Sequence, residues 1–155
     1  MTWHFADGSN MDTAAMRRRC PGAVAIGVGH LNGWRFIIMH GGYASVVPDA
    51  GVSVYGVLWR VTPRDLAALR AYEALDSGLY HRRTLPVRLA GRNISALVYV
   101  GHTRVPGRPH VGYQDGIVIP SAREWGLPER YIAELTRWAM PPTRAGFSST
   151  RECPA

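Results

Sequence analysis

Apolar residues recur along this chain in two rhythms, and the switches between them mark the elements. Thr2 to Ala6 reads as a short strand that stops at Gly8-Ser9-Asn10. Asp12 is placed to cap a short helix through Ala14, Ala15 and Met16 to Arg19, which Pro21 ends. Four β-type runs follow: Ala23 to Leu31, Trp34 to Met39, Tyr43 to Val47 and Gly51 to Val61. Asn32-Gly33 predicts a type I′ hairpin between the first two, Gly41-Gly42 a second turn, and Pro48-Asp49 closes the third. Thr62-Pro63-Arg64-Asp65 is a helix start, with a threonine cap, a proline at the first position and an acid three residues after the cap. That helix extends to Glu73 or Ala74. Strands are expected at Tyr80 to Leu89 and Ile94 to Val100, joined through Gly91-Arg92-Asn93. His102 to Gly112 is an exposed loop by composition, and helices are expected over Tyr113 to Trp125 and Pro128 to Trp138.

Hairpin-type connections dominate, nothing repeats, and no linker divides the chain. The pattern predicts one α+β domain over residues 1–140, a largely antiparallel sheet or barrel with helices outside it, and a flexible tail over 141–155. The length of 155 residues and 46% hydrophobic content suit a single core.

Charge sharpens what the chain does not do. All 18 basic residues are Arg, so a Schiff-base lysine, a P-loop lysine and a Ser–Lys dyad are excluded. The net charge of +7 points toward nucleic acid, but apart from Arg17-Arg18-Arg19 and Arg82-Arg83 the arginines are scattered singly, which argues against that partner. Cys20 and Cys153 form no CxxC, and the six histidines show no paired spacing on one helix face, so no metal or cofactor is expected. The N-terminus has no basic, apolar leader, and no run approaches the ~20 apolar residues of a membrane span. The expectation is a cytoplasmic protein, without a membrane partner, working as a monomer or homodimer.

Two segments concentrate chemistry. Phe5-Ala6-Asp7-Gly8-Ser9-Asn10-Met11 ends a strand and leads toward a helix, so consecutive backbone N–H groups face one way and suit a carboxylate or phosphate. An ordinary tight turn with a cap is the alternative. In the second segment, Leu66, Leu69 and Glu73 fall on one helix face, which turns the Glu73 carboxylate toward buried leucines. Burial there, near a helix C-terminus, raises a carboxyl pKa toward the range useful for proton transfer. A helix ending one residue early would leave Glu73 solvated instead.

In this order the two segments resemble the γ-glutamylcyclotransferase-like family, which includes AIG2-type proteins. Members carry Tyr-Gly-Ser-Asn after the first strand, here Asp7-Gly8-Ser9-Asn10, and a Glu followed by Gly-x-Tyr, here Glu73 with Gly78-Leu79-Tyr80. Met16-Arg17-Arg18-Arg19-Cys20-Pro21, Gly56-Val57-Leu58-Trp59, Arg82, Gly126-Leu127-Pro128 and Tyr131 match as well, so the resemblance covers residues 3 to 138. It implies a small mixed β-barrel with peripheral helices and a pocket for a γ-glutamyl substrate that needs no cofactor. By the resemblance, Glu73 is the general base and acid for intramolecular attack of the α-amine on the γ-carbonyl, which releases 5-oxoproline and an amine. Gly8, Ser9 and Asn10 would hold the substrate carboxylate or oxyanion, and Tyr80 would shape the pocket, unless it is simply a core aromatic. A non-catalytic binding member of the same fold is the alternative.

Asp7 departs from the family pattern, replacing a large aromatic with a small acid beside a site meant for an anion. Three outcomes follow: retained activity, a substrate bearing a cationic amine, or lost catalysis. The intact Glu73 and Gly8-Ser9-Asn10 favour a changed or narrowed substrate. His102, His110 and the Arg17-Arg18-Arg19 run are expected to be solvated or structural, and Tyr72 and Trp59 to be core.

Overall fold

The computed structural model describes residues 2–73 and 77–139, so the tail expected over 141–155, with Cys153, and the far end of the helix at Ala74 lie outside the described residues. Five strands close into a barrel: β1 (Thr2–Ala6), β2 (Val24–Ile38), β3 (Ala44–Val61), β4 (Tyr80–Leu89) and β5 (Arg92–Gly101), in the order β1-β3-β2-β4-β5. All pairings are antiparallel except β1 with β5, which meet in parallel at His4 and Leu97, so the barrel is mixed, as expected. Closure leaves no free sheet edge. Helices α1 (Thr13–Arg19), α2 (Pro63–Tyr72), α3 (Ile119–Trp125) and α4 (Glu129–Ala139) surround it. Among the described residues no helix is long and apolar enough to cross a membrane.

Two expected turns are strand instead. A type I′ turn needs positive φ at both central residues, but only Gly33 has it, at 85°. Asn32 stays paired with Ser53, whose hydroxyl donates to the Asn32 side-chain carbonyl at 2.6 Å. β2 therefore runs through Asn32-Gly33, where the register shifts and residues 49–52 of β3 face Gly33, and the reversal comes later, at Gly41-Gly42. β3 likewise continues through Pro48, which is exposed and pairs with Trp34 beside that register shift. The two-residue turn with both φ positive is Ala90-Gly91, between Leu89 and Arg92, rather than Gly91-Arg92-Asn93.

The helix starts follow the sequence closely. Thr62 and Asp65 form a reciprocal capping box at α2. Asp65 is buried, and its second carboxylate oxygen accepts from the Gly22 N–H at 3.2 Å, which ties α2 to the segment after α1. The segment over 113–125 opens with a π-helical turn at Gln114–Val118 before α3, and Pro120 sits in the first turn of α3. That wider turn sets Tyr113 with its hydroxyl accepting from the Ala44 N–H at 3.2 Å.

Two glycines set where β1 can end. A Cβ at Gly56 would collide with the Ala6 carbonyl, so β3 can press this close to the end of β1 only with glycine there. At Gly8 a Cβ would lie 2.8 Å from the Tyr113 hydroxyl and 3.0 Å from the Ala44 Cβ. The chain then enters a 3₁₀ turn at Ser9–Met11, whose Met11 carbonyl accepts from the Trp125 indole at 2.8 Å.

Asp65→Ala removes the acceptor of two donors, the Gly22 and Thr62 N–H groups. It should destabilise the fold by roughly 2–4 kcal/mol from the lost cap and the unsatisfied N–H groups, seen as a lower urea midpoint at unchanged slope.

Candidate active site

The end of β1, the 3₁₀ turn, the C-terminus of α2, the start of β4 and the start of the π turn converge on one cavity of about 230 Å³. Asp7, Gly8, Ser9, Asn10, Glu73 and Tyr80 all line it. None of the six candidates from the sequence lies elsewhere, although the segments that carry them are separated by two strands and two helices.

Glu73 follows the last residue of α2, and its N–H still donates to the Leu69 carbonyl at 2.8 Å. Its side chain is half-buried against the cavity, with Oε1 accepting from Asn10 Nδ2 at 2.9 Å. Asn10 in turn accepts on Oδ1 from the Arg19 guanidinium. Arg19 stacks over the Tyr72 ring at 3.6 Å from its centroid and donates to the Tyr72 hydroxyl at 2.9 Å. Ser9 Oγ meets the same hydroxyl at 2.9 Å. Arg19 and Tyr72 therefore belong to the site, which corrects the structural and core assignments expected for them. Arg19 ends a seven-residue helix that folds back over the turn it follows, and no local pattern announces that return.

On the opposite side, the two tyrosines clamp one residue of β3. Tyr80 donates to the Ala44 carbonyl at 2.7 Å, and Tyr113 accepts from the Ala44 N–H. Tyr80 is thus both core aromatic and cavity wall. Burial pushes both phenols above their ordinary pKa, so they remain protonated. His102 and His110 do not line the cavity; His110 packs on Tyr43, which does, with ring centroids 4.6 Å apart. Trp59 is buried in the core, as expected.

Asp7 and Glu73 are carboxyl groups of one cavity, and each is displaced toward neutrality. Burial raises Asp7 to about 7, and the charge of Glu73 adds to that rise. Burial raises Glu73 to about 7 against the opposing pull of Arg19 and the Asn10 hydrogen bond. His4, buried in the same wall, goes the other way: desolvation lowers it to about 4, so it is neutral at pH 7. Among the described residues no group of three His, Cys, Asp or Glu side chains is gathered as a metal ion would need.

The sequence model of the family described as gamma-glutamyl cyclotransferase, AIG2-like, matches residues 5–117, a span that holds both site segments. The chain belongs to this family. Among relatives of this AIG2-like chain, the mouse gamma-glutamylcyclotransferase is 28% identical over 143 residues, covering 85% of the chain and 76% of the mouse protein. The human gamma-glutamylcyclotransferase is 28% identical over 145 residues with the same coverage. A solved structure described as gamma-glutamyl cyclotransferase superposes with a TM-score of 0.82 at 25% identity, covering 97% of this chain and 94% of that one. The fold and a γ-glutamylcyclotransferase-like function are shared at this modest identity.

The raised carboxyls make stability depend on pH with a definite sign. Native Asp7 and Glu73 hold protons between pH 4 and 7 that the unfolded chain releases, so their contribution is full at low pH and lost as pH rises through about 7. Asp7→Asn should therefore match the wild type near pH 4 and become progressively more stable than it up to about pH 7, then hold a constant difference, in urea unfolding at each pH.

Proposed function

We propose that this AIG2-like protein is a cyclotransferase that releases 5-oxoproline from a γ-glutamyl amide or amine, with Glu73 as the proton shuttle. The observation that carries the reading is the Asn10 to Glu73 hydrogen bond within a cavity bordered by Gly8 and Ser9. It holds the carboxyl that would move protons beside the backbone that would hold the substrate.

The α-amine of a γ-glutamyl group reaches its own γ-carbonyl by closing a five-membered ring. The protein therefore has to supply orientation and proton transfer rather than an external nucleophile. A carboxyl near pKa 7 suits both directions of transfer: it takes a proton from the attacking amine and returns one to the departing amine. The N–H groups of Gly8, Ser9 and Asn10 lead into the 3₁₀ turn, where helical geometry leaves donors without an internal partner. In this reading they hold the substrate carboxylate or the developing oxyanion. Asn10 has a second duty, because its side chain fixes the direction in which Glu73 presents its oxygens. Tyr80 forms the wall opposite, and no metal or cofactor takes part.

Asp7 narrows the substrate. A carboxyl in this wall repels a leaving group that carries its own carboxylate and attracts one that carries a cationic amine. γ-Glutamyl amines are thus the better substrates, and γ-glutamyl-α-amino acids the poorer ones.

Glu73→Gln should abolish 5-oxoproline release, a loss of at least about 100-fold, while the fold is retained. If wild type and Glu73→Gln are equally inactive, the protein is a binding member of the fold. Asp7→Tyr should shift the ratio of kcat/KM from γ-glutamyl amines toward γ-glutamyl dipeptides. Fast wild-type turnover of dipeptides, unimproved by the tyrosine, would sink the altered specificity.

A further inference from the structure

The proton inventory of this cyclisation is larger than one carboxylate handles in a single transfer. At neutral pH a free α-amine is mostly an ammonium, with a pKa of about 8. In the lactam product the same nitrogen carries one hydrogen. It therefore loses two protons: one to free its lone pair, and one as it bonds to the γ-carbon. The departing nitrogen gains one proton as its bond to that carbon breaks, and a second in water.

We infer that Asp7 is a second catalytic residue, the acceptor of the first of these protons, and that Glu73 handles the second. This rests on the cyclotransferase reading above. The ammonium gives its first proton to the Asp7 carboxylate and becomes a nucleophilic amine. The amine attacks the γ-carbon, and Glu73 takes the second proton. Glu73 then delivers that proton to the leaving nitrogen as the old C–N bond breaks. Asp7 releases its own proton to solvent or to the departing amine, and both carboxyls return to their starting state. Nothing is oxidised or reduced.

Three observations support the assignment. Asp7 and Glu73 line the same cavity of about 230 Å³, and the Glu73 charge acts on Asp7, so one small substrate can reach both. The remaining groups around Asp7 cannot take the proton. Tyr80, Tyr113 and Tyr131, from β4, the π turn and α4, are all held protonated, and Arg19 from α1 carries a permanent charge. His4 supplies an independent sign that the cavity is built for a polar occupant. It is 2% exposed and lines the cavity, and neither ring nitrogen makes a hydrogen bond. The Leu97 backbone lies close enough to favour the imidazolium slightly, but outside hydrogen-bond geometry. Kept neutral by burial, His4 offers no charge to balance the carboxyls; Arg19 acts on Glu73, which leaves the balance of Asp7 to a bound ammonium. An Asp7 displaced toward pH 7 also lies within about one unit of the ammonium it would deprotonate, which keeps the transfer from being steeply uphill.

The test is the pH profile of kcat, from pH 6.5 to 9.5, at saturating γ-glutamyl n-butylamide and, in parallel, γ-glutamyl-alanine. Wild type, Asp7→Asn, Asp7→Glu and Glu73→Gln would be compared, with 5-oxoproline quantified by chromatography. Asp7→Asn should lower kcat at least about ten-fold at pH 7. The gap should close as pH passes the ammonium pKa, because the amine then arrives already neutral. Asp7→Glu, which keeps a carboxylate, should restore much of the rate at pH 7, and Glu73→Gln should stay inactive throughout. A defect in Asp7→Asn that is equal at every pH, or one confined to KM, would overturn the assignment in favour of packing or simple ammonium binding. A wild type that releases no 5-oxoproline from either substrate would instead remove the cyclotransferase reading, and this assignment with it.

Discussion

The side-chain amide of Asn10 holds the site together. Its two ends are chemically different, and each is matched: the oxygen accepts from Arg19, which only donates, and the nitrogen donates to Glu73, which accepts when ionised. The orientation of the amide is therefore set by its partners rather than by packing. Through it, the turn after β1, the end of α1 and the end of α2 meet at one point. Reversing the amide would set donor against donor at Arg19 and acceptor against acceptor at Glu73. The Arg19 charge reaches Glu73 beside this link and limits how far burial can raise the carboxyl.

The opposite wall is held by a different device. Ala44 gives its carbonyl to Tyr80 and its N–H to Tyr113, so β3, β4 and the π turn are joined at a single residue. One wall thus rests on hydrogen bonds among charged and polar side chains, and the other on phenols buried against barrel backbone. Glycine at 8 is the only residue that fits between them, since a side chain there would displace the Tyr113 hydroxyl or Ala44. Both walls of the cavity are braced, and burial from water is what brings two carboxyls and a histidine toward their neutral forms.

Local chemistry was easily read. The capping box at Thr62 and Asp65, the Asp12 cap and the helix over 129–139 depend on residues within a few positions of each other, and all form as expected. Expectation and structure part where a local signal competes with a long-range one. Asn32-Gly33 has strong turn chemistry, yet pairing across β2 and β3 outweighs it, and the ladder only shifts register at Gly33. Pro48 likewise marks a strand end by itself but stays in β3, paired with Trp34. The places of Arg19 and Tyr72 escape the local pattern for a related reason. Their roles depend on which helix ends meet in space, and neither residue carries a local mark of that meeting.

The sequence by itself determined the helix caps and most of the strands and helices and, through its resemblance to a known family, a mixed barrel and six candidate residues that all line the cavity. Apolar rhythm, caps and the order of two short motifs are properties of neighbouring residues. Only the tertiary structure decided that Asn10 would serve Glu73 through its side chain, that Arg19 and Tyr72 would join them, and that Asp7 and Glu73 would share one enclosure. Those outcomes depend on barrel closure, which brings together residues more than 60 positions apart in the chain, as in the Asn10 to Glu73 bond with its separation of 63. They depend also on the exclusion of water, which no stretch of sequence specifies and which changes the charge a carboxyl prefers to carry.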